Sequence, residues 1–216
     1  MTQGRLHRVH PGVYSVGHRH LEIEGRLAAG LLHAGEGAAL SHTTAGWWWG
    51  LLAAAPRWIH ISADRSIRSF PRLRVHRPGH VDPVRHRGLP VTPVAQTLLD
   101  ISGMLSFADL RRALAEADHR RILDPVAVRQ LCGRGRAGSS SLRHALRYHN
   151  PRLARTLSVL EERFLALCEM ERIPQPEVNA KIDGLMVDAL WRTERVIAEL
   201  DGHATHGTVA AIERDR

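Results

Sequence analysis

The chain has 216 residues, of which 44% are hydrophobic and 24% are charged, a composition typical of globular proteins. It contains no apolar run of about 18 residues, the minimum for a bilayer-spanning helix, and its N-terminus lacks a secretory signal pattern. Its two cysteines, Cys132 and Cys168, lie too far apart in sequence for a metal motif or a disulfide framework. These features exclude membrane and disulfide-rich secreted proteins, and we expect a cytoplasmic protein with no membrane partner.

The net charge of +8 is unevenly distributed along the chain. Residues 1–157 contain 23 arginines and 10 acidic residues, whereas residues 158–216 contain 7 basic and 12 acidic residues. This asymmetry favours two units with different tasks, and the basic unit favours a polyanion such as nucleic acid. The chain has a single lysine, Lys181, which is typical of an arginine-rich proteome and weakens the inference from charge alone.

The first predicted element is a β-hairpin over residues 4–17, with its turn at His10-Pro11-Gly12. A weak helical period follows over residues 21–33, and Ser41 is predicted to cap a short helix. That helix carries three consecutive tryptophans, which we interpret as core residues with one of them exposed, although a base-stacking platform is the alternative. Alternating residues predict strands within 57–76, at 57–61 and 72–76, and the following segment 77–88 is predicted to be a loop.

Helices are predicted over approximately residues 93–148. Thr92, Ser106 and Asp124 are typical capping residues for three of them, since Thr92 and Asp124 precede prolines and Ser106 precedes Asp109 by three positions. Residues 133–141 are rich in glycine and serine and predict a loop, interpreted as solvated rather than phosphate-binding. The longest helix is predicted over residues 157–172.

Two strands, residues 181–191 and 195–202, are predicted after this helix, with a turn centred on Thr193-Glu194. That turn places Asp188 opposite Glu199, and Asp201 on the same face as Glu199, because strand side chains alternate. Clustered carboxylates repel one another unless a cation lies between them, and oxygen ligands of this kind favour Mg²⁺ or Mn²⁺. A solvated strand end followed by an Asp-Gly turn is the alternative interpretation.

The segment 158–216 resembles a bacterial domain family related to very-short-patch-repair endonucleases, in the restriction-endonuclease-like PD-(D/E)xK group. The resemblance rests on the SVLEERF helix, the Pro-Glu-Val-Asn run 176–179, the Val-Asp at Asp188, and Glu-Leu-Asp-Gly followed by a histidine. It implies a mixed sheet with flanking helices and a divalent metal held by Asp188, Glu199 and Asp201. The catalytic set that it implies is Glu161, Asp188, Glu199, Asp201 and His206.

The first 150 residues resemble actinobacterial AbiEi-type antitoxins, through GRLHRVHPGVYSVGH, SHTTAGWWWGL, GLPVTPVAQTLLDIS and RRALAEADHRR. This resemblance implies a winged-helix wing, DNA as a partner and a cognate toxin as a further one. The expected domains are therefore an antitoxin-like region 1–155 and an endonuclease-like region 156–216. Expected DNA contacts are Arg5, Arg8, Arg72 and Arg74, of which the last two form either a phosphate-contacting patch or a solvated edge.

Three departures from these families bear on function. The chain begins close to the wing hairpin, it stops at Arg216 where the family continues, and Asp201 stands where the nuclease group has a lysine. We therefore expect an incomplete α+β fold, without a recognition helix, and lowered stability. Two functions remain open: a metal-dependent DNA endonuclease, and a catalytically inactive DNA-binding antitoxin or regulator. A nonfunctional remnant is a third interpretation.

Overall fold

The computed structural model describes residues 6–78, 80–149 and 159–200. These residues form seven helices and three sheets, one of them a five-stranded mixed sheet, so the fold is a mixed α+β fold. The chain divides between Pro151 and Arg152 into two compact units. Among the described helices, none has the length and apolar character needed to cross a membrane.

The first unit contains seven strands and six helices within its described residues. In chain order they are β1 (Leu6–His10), β2 (Val13–Val16), α1 (Ile23–Ala34), β3 (Ala39–Leu40), α2 (His42–Trp48), β4 (Ile59–Ser62), β5 (Leu73–His76), β6 (Val84–His86), β7 (Leu89–Val91), α3 (Val94–Ser102), α4 (Phe107–His119), α5 (Pro125–Leu131) and α6 (Ser139–Arg147). Strands β1 and β2 form the predicted antiparallel hairpin. Gly12 has a φ of 78° in its turn, a conformation that favours glycine.

The five-stranded sheet has the order β5-β4-β3-β7-β6. Strand β4 pairs in parallel with β5 and antiparallel with β3, which in turn pairs in parallel with β7. All four residues of β4 are buried, as expected for an interior strand covered on both faces. Helix α1 approaches this strand closely at Gly30, where an added Cβ would lie 2.9 Å from Cδ1 of Ile61.

Two apolar clusters form the core of the first unit. One joins α1 and α2 to the five-stranded sheet through residues such as Leu27, Leu40 and Ile61, and the other joins helices α3 to α6 through residues such as Leu98 and Leu114. The three tryptophans belong to these clusters: Trp48 is buried, and Trp47 and Trp49 are partly buried. The core interpretation is therefore confirmed, whereas the expectation that one tryptophan is exposed is wrong.

Helix capping follows the sequence at two of the predicted positions. The Ser106 hydroxyl accepts a hydrogen bond from the Asp109 amide at 3.1 Å, and the Asp124 carboxylate accepts from the amides of Val126 and Ala127. Ser41 occupies the N-cap position of α2 but makes no side-chain capping bond. Its hydroxyl lies 3.0 Å from Nδ1 of His42 instead.

Three predicted segments differ from the structure. Residues 77–88 include β6, because Arg87 and Gly88, with φ values of 47° and 79°, make a tight turn that pairs β6 with β7. The segment 133–141 is not a loop throughout, because α6 begins at Ser139 after a left-handed Gly138. Residues 181–191 are not one strand, because an Asp-Gly turn divides them.

The second unit contains α7 (Val159–Met170), β8 (Glu177–Ile182), β9 (Leu185–Trp191) and β10 (Val196–Ala198) within its described residues. The dividing turn lies at Asp183 and Gly184, whose φ values of 48° and 85° are typical of a two-residue hairpin. The three strands form an antiparallel sheet in the order β10-β9-β8, so the mixed sheet that the resemblance implies is not seen in the described part of this unit. Leu165 and Cys168 of α7 are fully buried.

A pair of glycine substitutions tests the packing at the start of α6. Gly138 and Gly135 both have positive φ values, but a Cβ at Gly138 would lie 2.9 Å from the Gly103 amide nitrogen and 3.1 Å from the Leu99 carbonyl oxygen. A Cβ at Gly135 would meet nothing within 4 Å. We expect Gly135→Ala to lower the free energy of unfolding by about 1 kcal/mol, the cost of a left-handed alanine.

For Gly138→Ala we expect a further loss of about 2 kcal/mol, because the backbone atoms must move to admit the methyl group. Urea denaturation of both variants and the parent chain measures this difference. Equal losses in the two variants would contradict the packing described here.

Candidate functional site

The strand register of the second unit aligns three polar residues on neighbouring strands. The pairs Val178↔Ala189 and Ala180↔Val187 place Asn179 of β8 beside Asp188 of β9. On the other side, β10 pairs with β9 in the register predicted from the sequence, and its last pair is Ala198↔Ala189. Continuing that register by one residue places Glu199, which directly follows β10, beside Asp188.

Hydrogen bonds hold two of the carboxylates in this region. Glu161 of α7 is 5% exposed, and its Oε2 accepts a hydrogen bond from Nδ2 of Asn179 at 2.7 Å. The Oδ2 of Asp188 accepts from the Leu200 amide, also at 2.7 Å. Asp188 therefore holds the segment just after β10 by a hydrogen bond, and a second hydrogen bond, between Glu161 and Asn179, connects α7 to β8. We call Glu161, Asn179, Asp188 and Glu199 the acidic row.

Three of the five predicted catalytic residues, Glu161, Asp188 and Glu199, belong to the acidic row. Glu199 is exposed and Asp188 is half-buried, so solvent reaches this end of the sheet. The other two predicted residues, Asp201 and His206, lie outside the described residues. Lys181 is exposed on β8, two residues beyond Asn179, where it pairs with Met186.

In the first unit, arginines surround an exposed tryptophan. Trp58 is 43% exposed, and the Arg74 guanidinium lies 5.9 Å from the centre of its ring, within cation–π range. Arg26, Arg57 and Arg72 line the same cavity as Trp58. We call these five residues the Trp58 patch.

The four arginines predicted to contact DNA have different positions. Arg74 is exposed on β5, but Arg72 precedes that strand in a turn with a φ of 68°, so strand alternation does not relate the two. Arg8 is exposed on β1, and Arg5 lies outside the described residues. The sequence analysis missed Trp58, since an aromatic residue at the start of a predicted strand is usually buried.

Three histidines from separate segments of the first unit meet at one end of the sheet. His60 lies on β4, His76 on β5, and His42 is the first residue of α2. Each offers one ring nitrogen, and the three nitrogens lie within 4.8 Å of one another. The Nδ1 of His60 is 2.9 Å from the Nε2 of His76, and the His42 and His76 rings stack with centroids 3.8 Å apart. We call His42, His60 and His76 the histidine cluster.

Burial keeps the histidine cluster uncharged near neutral pH. The pKa of each of these rings is lowered to about 4, mainly by desolvation and to a smaller extent by the neighbouring histidines and, for His60 and His76, by Arg74. Beside them, the Asp100 carboxylate lies 3.8 Å from Nδ1 of His42 and accepts a 2.6 Å hydrogen bond from Gln96. Burial raises the pKa of Asp100 to about 6, against the opposing effect of its hydrogen bonds.

The histidine cluster was not predicted from the sequence. Its only local signals were histidines in the predicted strands 57–61 and 72–76 and another beside Ser41. The parallel β4–β5 pairing that brings two of them together joins residues far apart in sequence. In a chain with 15 histidines, no spacing rule selects these three.

No family model, curated protein or solved structure matches the chain. Functional inference therefore depends on the acidic row, the Trp58 patch and the histidine cluster themselves.

The histidine cluster predicts how stability depends on pH in metal-free protein. Each ring has a pKa of about 4 when folded, below the ordinary 6.5, so the unfolded chain binds more protons between these values. The contribution of the three histidines to the free energy of unfolding is therefore fully present above pH 6.5 and is lost as the pH falls towards 4. Asp100 acts in the opposite direction below pH 6, but it is one group against three.

We expect the free energy of unfolding to fall between pH 7 and pH 5, and His60→Gln to reduce that fall. Urea denaturation at both pH values, in the presence of a chelator, measures it. His119→Gln is the matched control, because His119 is exposed on α4 and should leave the pH dependence unchanged. A His60 variant with the parent's pH dependence would contradict the electrostatic account.

Proposed function

We propose that the chain is a divalent-metal-dependent DNA endonuclease-like protein whose phosphodiester-hydrolysing centre is the acidic row. The observation that carries this proposal is the register of the three strands: it places Asp188 beside Asn179, and continued by one residue beyond β10 it places Asp188 beside Glu199, while Glu161 is bonded to Asn179. Acidic residues on neighbouring strands repel each other, and a bound cation offsets that repulsion. The sequence resemblance to repair endonucleases implies the same residues.

The donor set of the acidic row is compatible with Mg²⁺ or Mn²⁺, because carboxylate oxygens are the ligands that hard cations prefer. Asp188 and Glu199 would hold the ion, with Asp201 as the third ligand that the resemblance implies. When bound, such an ion polarises a phosphate oxygen and lowers the pKa of a water molecule.

The remaining polar residues have positioning roles in this proposal. The Leu200 amide donates a hydrogen bond to one oxygen of Asp188. This bond orients the Asp188 carboxylate in the absence of a ligand. Glu161 orients Asn179 from the helix side, and Asn179 is the neighbour of Asp188 in the sheet. His206 would accept or deliver a proton, since its ordinary pKa lies near neutrality.

The Trp58 patch supports DNA as the substrate class. Clustered arginines attract phosphates, and an exposed tryptophan offers a stacking surface for an unpaired base. The β1–β2 hairpin, with Arg8 exposed on it, would be the wing of an antitoxin-like DNA-binding region.

A second function is favoured by the same patch. Because the Trp58 patch lies in a different unit from the acidic row, the first unit could bind DNA without cleavage by the second. The aspartate at position 201, where nucleases of this group have a lysine, also favours this alternative. The protein would then be an inactive antitoxin or transcriptional regulator, with a cognate toxin as a partner.

Plasmid cleavage with Mg²⁺ or Mn²⁺ distinguishes the two functions. We expect the parent chain to cleave and Asp188→Asn to lose about 100-fold or more in rate, since metal coordination supplies several kcal/mol of transition-state stabilisation. The asparagine oxygen can still accept from the Leu200 amide, so the fold should persist. Asp183→Asn is the matched control: the same change in an exposed turn of the same unit, at a left-handed position that asparagine tolerates.

Equal cleavage by Asp188→Asn and the parent would exclude the acidic row as the catalytic centre. DNA binding without cleavage, by a parent chain with a cooperative unfolding transition, would establish the second function.

DNA binding itself is tested at the Trp58 patch. We expect the double variant Arg72→Ala/Arg74→Ala to bind a short duplex more weakly, and its salt dependence to decrease by about two units of logarithmic slope if each arginine contacts one phosphate. Arg129→Ala is the control, because Arg129 is exposed on α5 away from the patch in sequence. Fluorescence anisotropy at several salt concentrations gives the slope, and an unchanged slope would remove the patch from the interface.

A further inference from the structure

We propose that the histidine cluster of the first unit is a binding site for one divalent transition-metal ion of the zinc class. His42, His60 and His76 would supply three imidazole nitrogens, and the fourth coordination position would face a neighbouring cavity. This site is chemically distinct from the acidic row, whose donors are oxygen atoms. It lies in the other unit and does not depend on the proposed nuclease function.

The first support is convergence from three separate backbone segments. The β4–β5 pair Ser62↔His76 places His76 diagonally across from His60, and both face the same side because strand positions alternate. His42 reaches them from the start of α2, directly after β3. Three imidazoles from one face of a sheet and an adjoining helix form a ligand set that zinc-binding proteins use repeatedly.

The second support is the backbone of His42, which has a φ of 52°. This left-handed conformation costs about 1–3 kcal/mol for a residue that is not glycine, and such strain is concentrated at functional sites. With its backbone in this conformation, the His42 ring stacks on the His76 ring and is not directed into solvent.

The third support is the environment of the rings. The Nδ1 of His42 faces the Ser41 hydroxyl and the Asp100 carboxylate, so Nε2 is the nitrogen that we assign to the metal. A carboxylate behind a ligating histidine is a common second contact in metal sites, and Asp100 is held in place by Gln96.

Metal binding requires a small rearrangement of the rings. His60 and His76 share a 2.9 Å nitrogen–nitrogen contact, whereas ligands of a tetrahedral zinc ion lie roughly 3.3 Å apart. The stacked His42 and His76 rings must also splay so that their lone pairs converge. His42 and Asp100 border a cavity of 380 Å³, which gives an ion and a water molecule access to this side.

The test is metal binding by the full chain after treatment with a chelator. We expect one equivalent of Co²⁺ to bind with the visible absorption of a tetrahedral nitrogen-ligated ion, and Zn²⁺ to displace it while excess Mg²⁺ does not. His60→Gln and His76→Gln should each weaken binding by more than about 100-fold, and Asp100→Asn by about 10–100-fold. His119→Gln should bind as the parent does, because His119 is exposed on α4.

Binding unaffected by His60→Gln and His76→Gln, or no binding of Co²⁺ and Zn²⁺ by the parent, would overturn the proposal. Circular dichroism and a urea transition establish whether each variant is folded. If a variant fails to fold, the parent chain alone decides the question through its assigned histidine ring resonances. One equivalent of Zn²⁺ should shift the signals of His42, His60 and His76 together, and unshifted signals would overturn the site.

Discussion

The register of β9 with both of its neighbours determines which polar side chains meet in the second unit. Asp188 has Asn179 on one side and Glu199 on the other only because every pair across β8, β9 and β10 keeps the same alignment. A slip of one residue would turn Asp188 to the opposite face and replace it with an alanine or a valine. The histidine cluster also depends on strand register, because the β4–β5 register places His76 diagonally across from His60.

The two clusters are stabilised in different ways. In the acidic row, Asp188 and Glu161 accept hydrogen bonds from a backbone amide and an asparagine, which are neutral donors. The backbone hydrogen bond orients the Asp188 carboxylate without neutralising it, so a cation would still lower its repulsion with Glu199. In the histidine cluster, burial keeps the ring nitrogens uncharged, so a metal ion would meet neutral ligands.

Local patterns predicted much of the fold, because they depend on short-range chemistry. The β1–β2 hairpin, the Ser106 and Asp124 caps, and the β9–β10 register all follow from a turn or a cap within a few residues. The Asp183-Gly184 dipeptide is also a turn signal, but the apolar residues that follow it favoured one continuous strand over residues 181–191. The two-residue β3 and the meeting of His60 with His76 could not be predicted, since parallel pairing joins distant segments and leaves no periodic trace.

Arg74 links the two proposed activities of the first unit. It pairs laterally with His60 and lies two residues before His76 on the same face of β5, while its guanidinium lies over Trp58. Its positive charge contributes to the lowered pKa of both histidines, and the same charge opposes a metal cation bound between them. A DNA phosphate on Arg74 would weaken that repulsion, and by reciprocity a bound metal would strengthen the attraction of this face for phosphate. If both proposed sites bind their ligands, they would be coupled electrostatically through one side chain, although their ligands and chemistry differ.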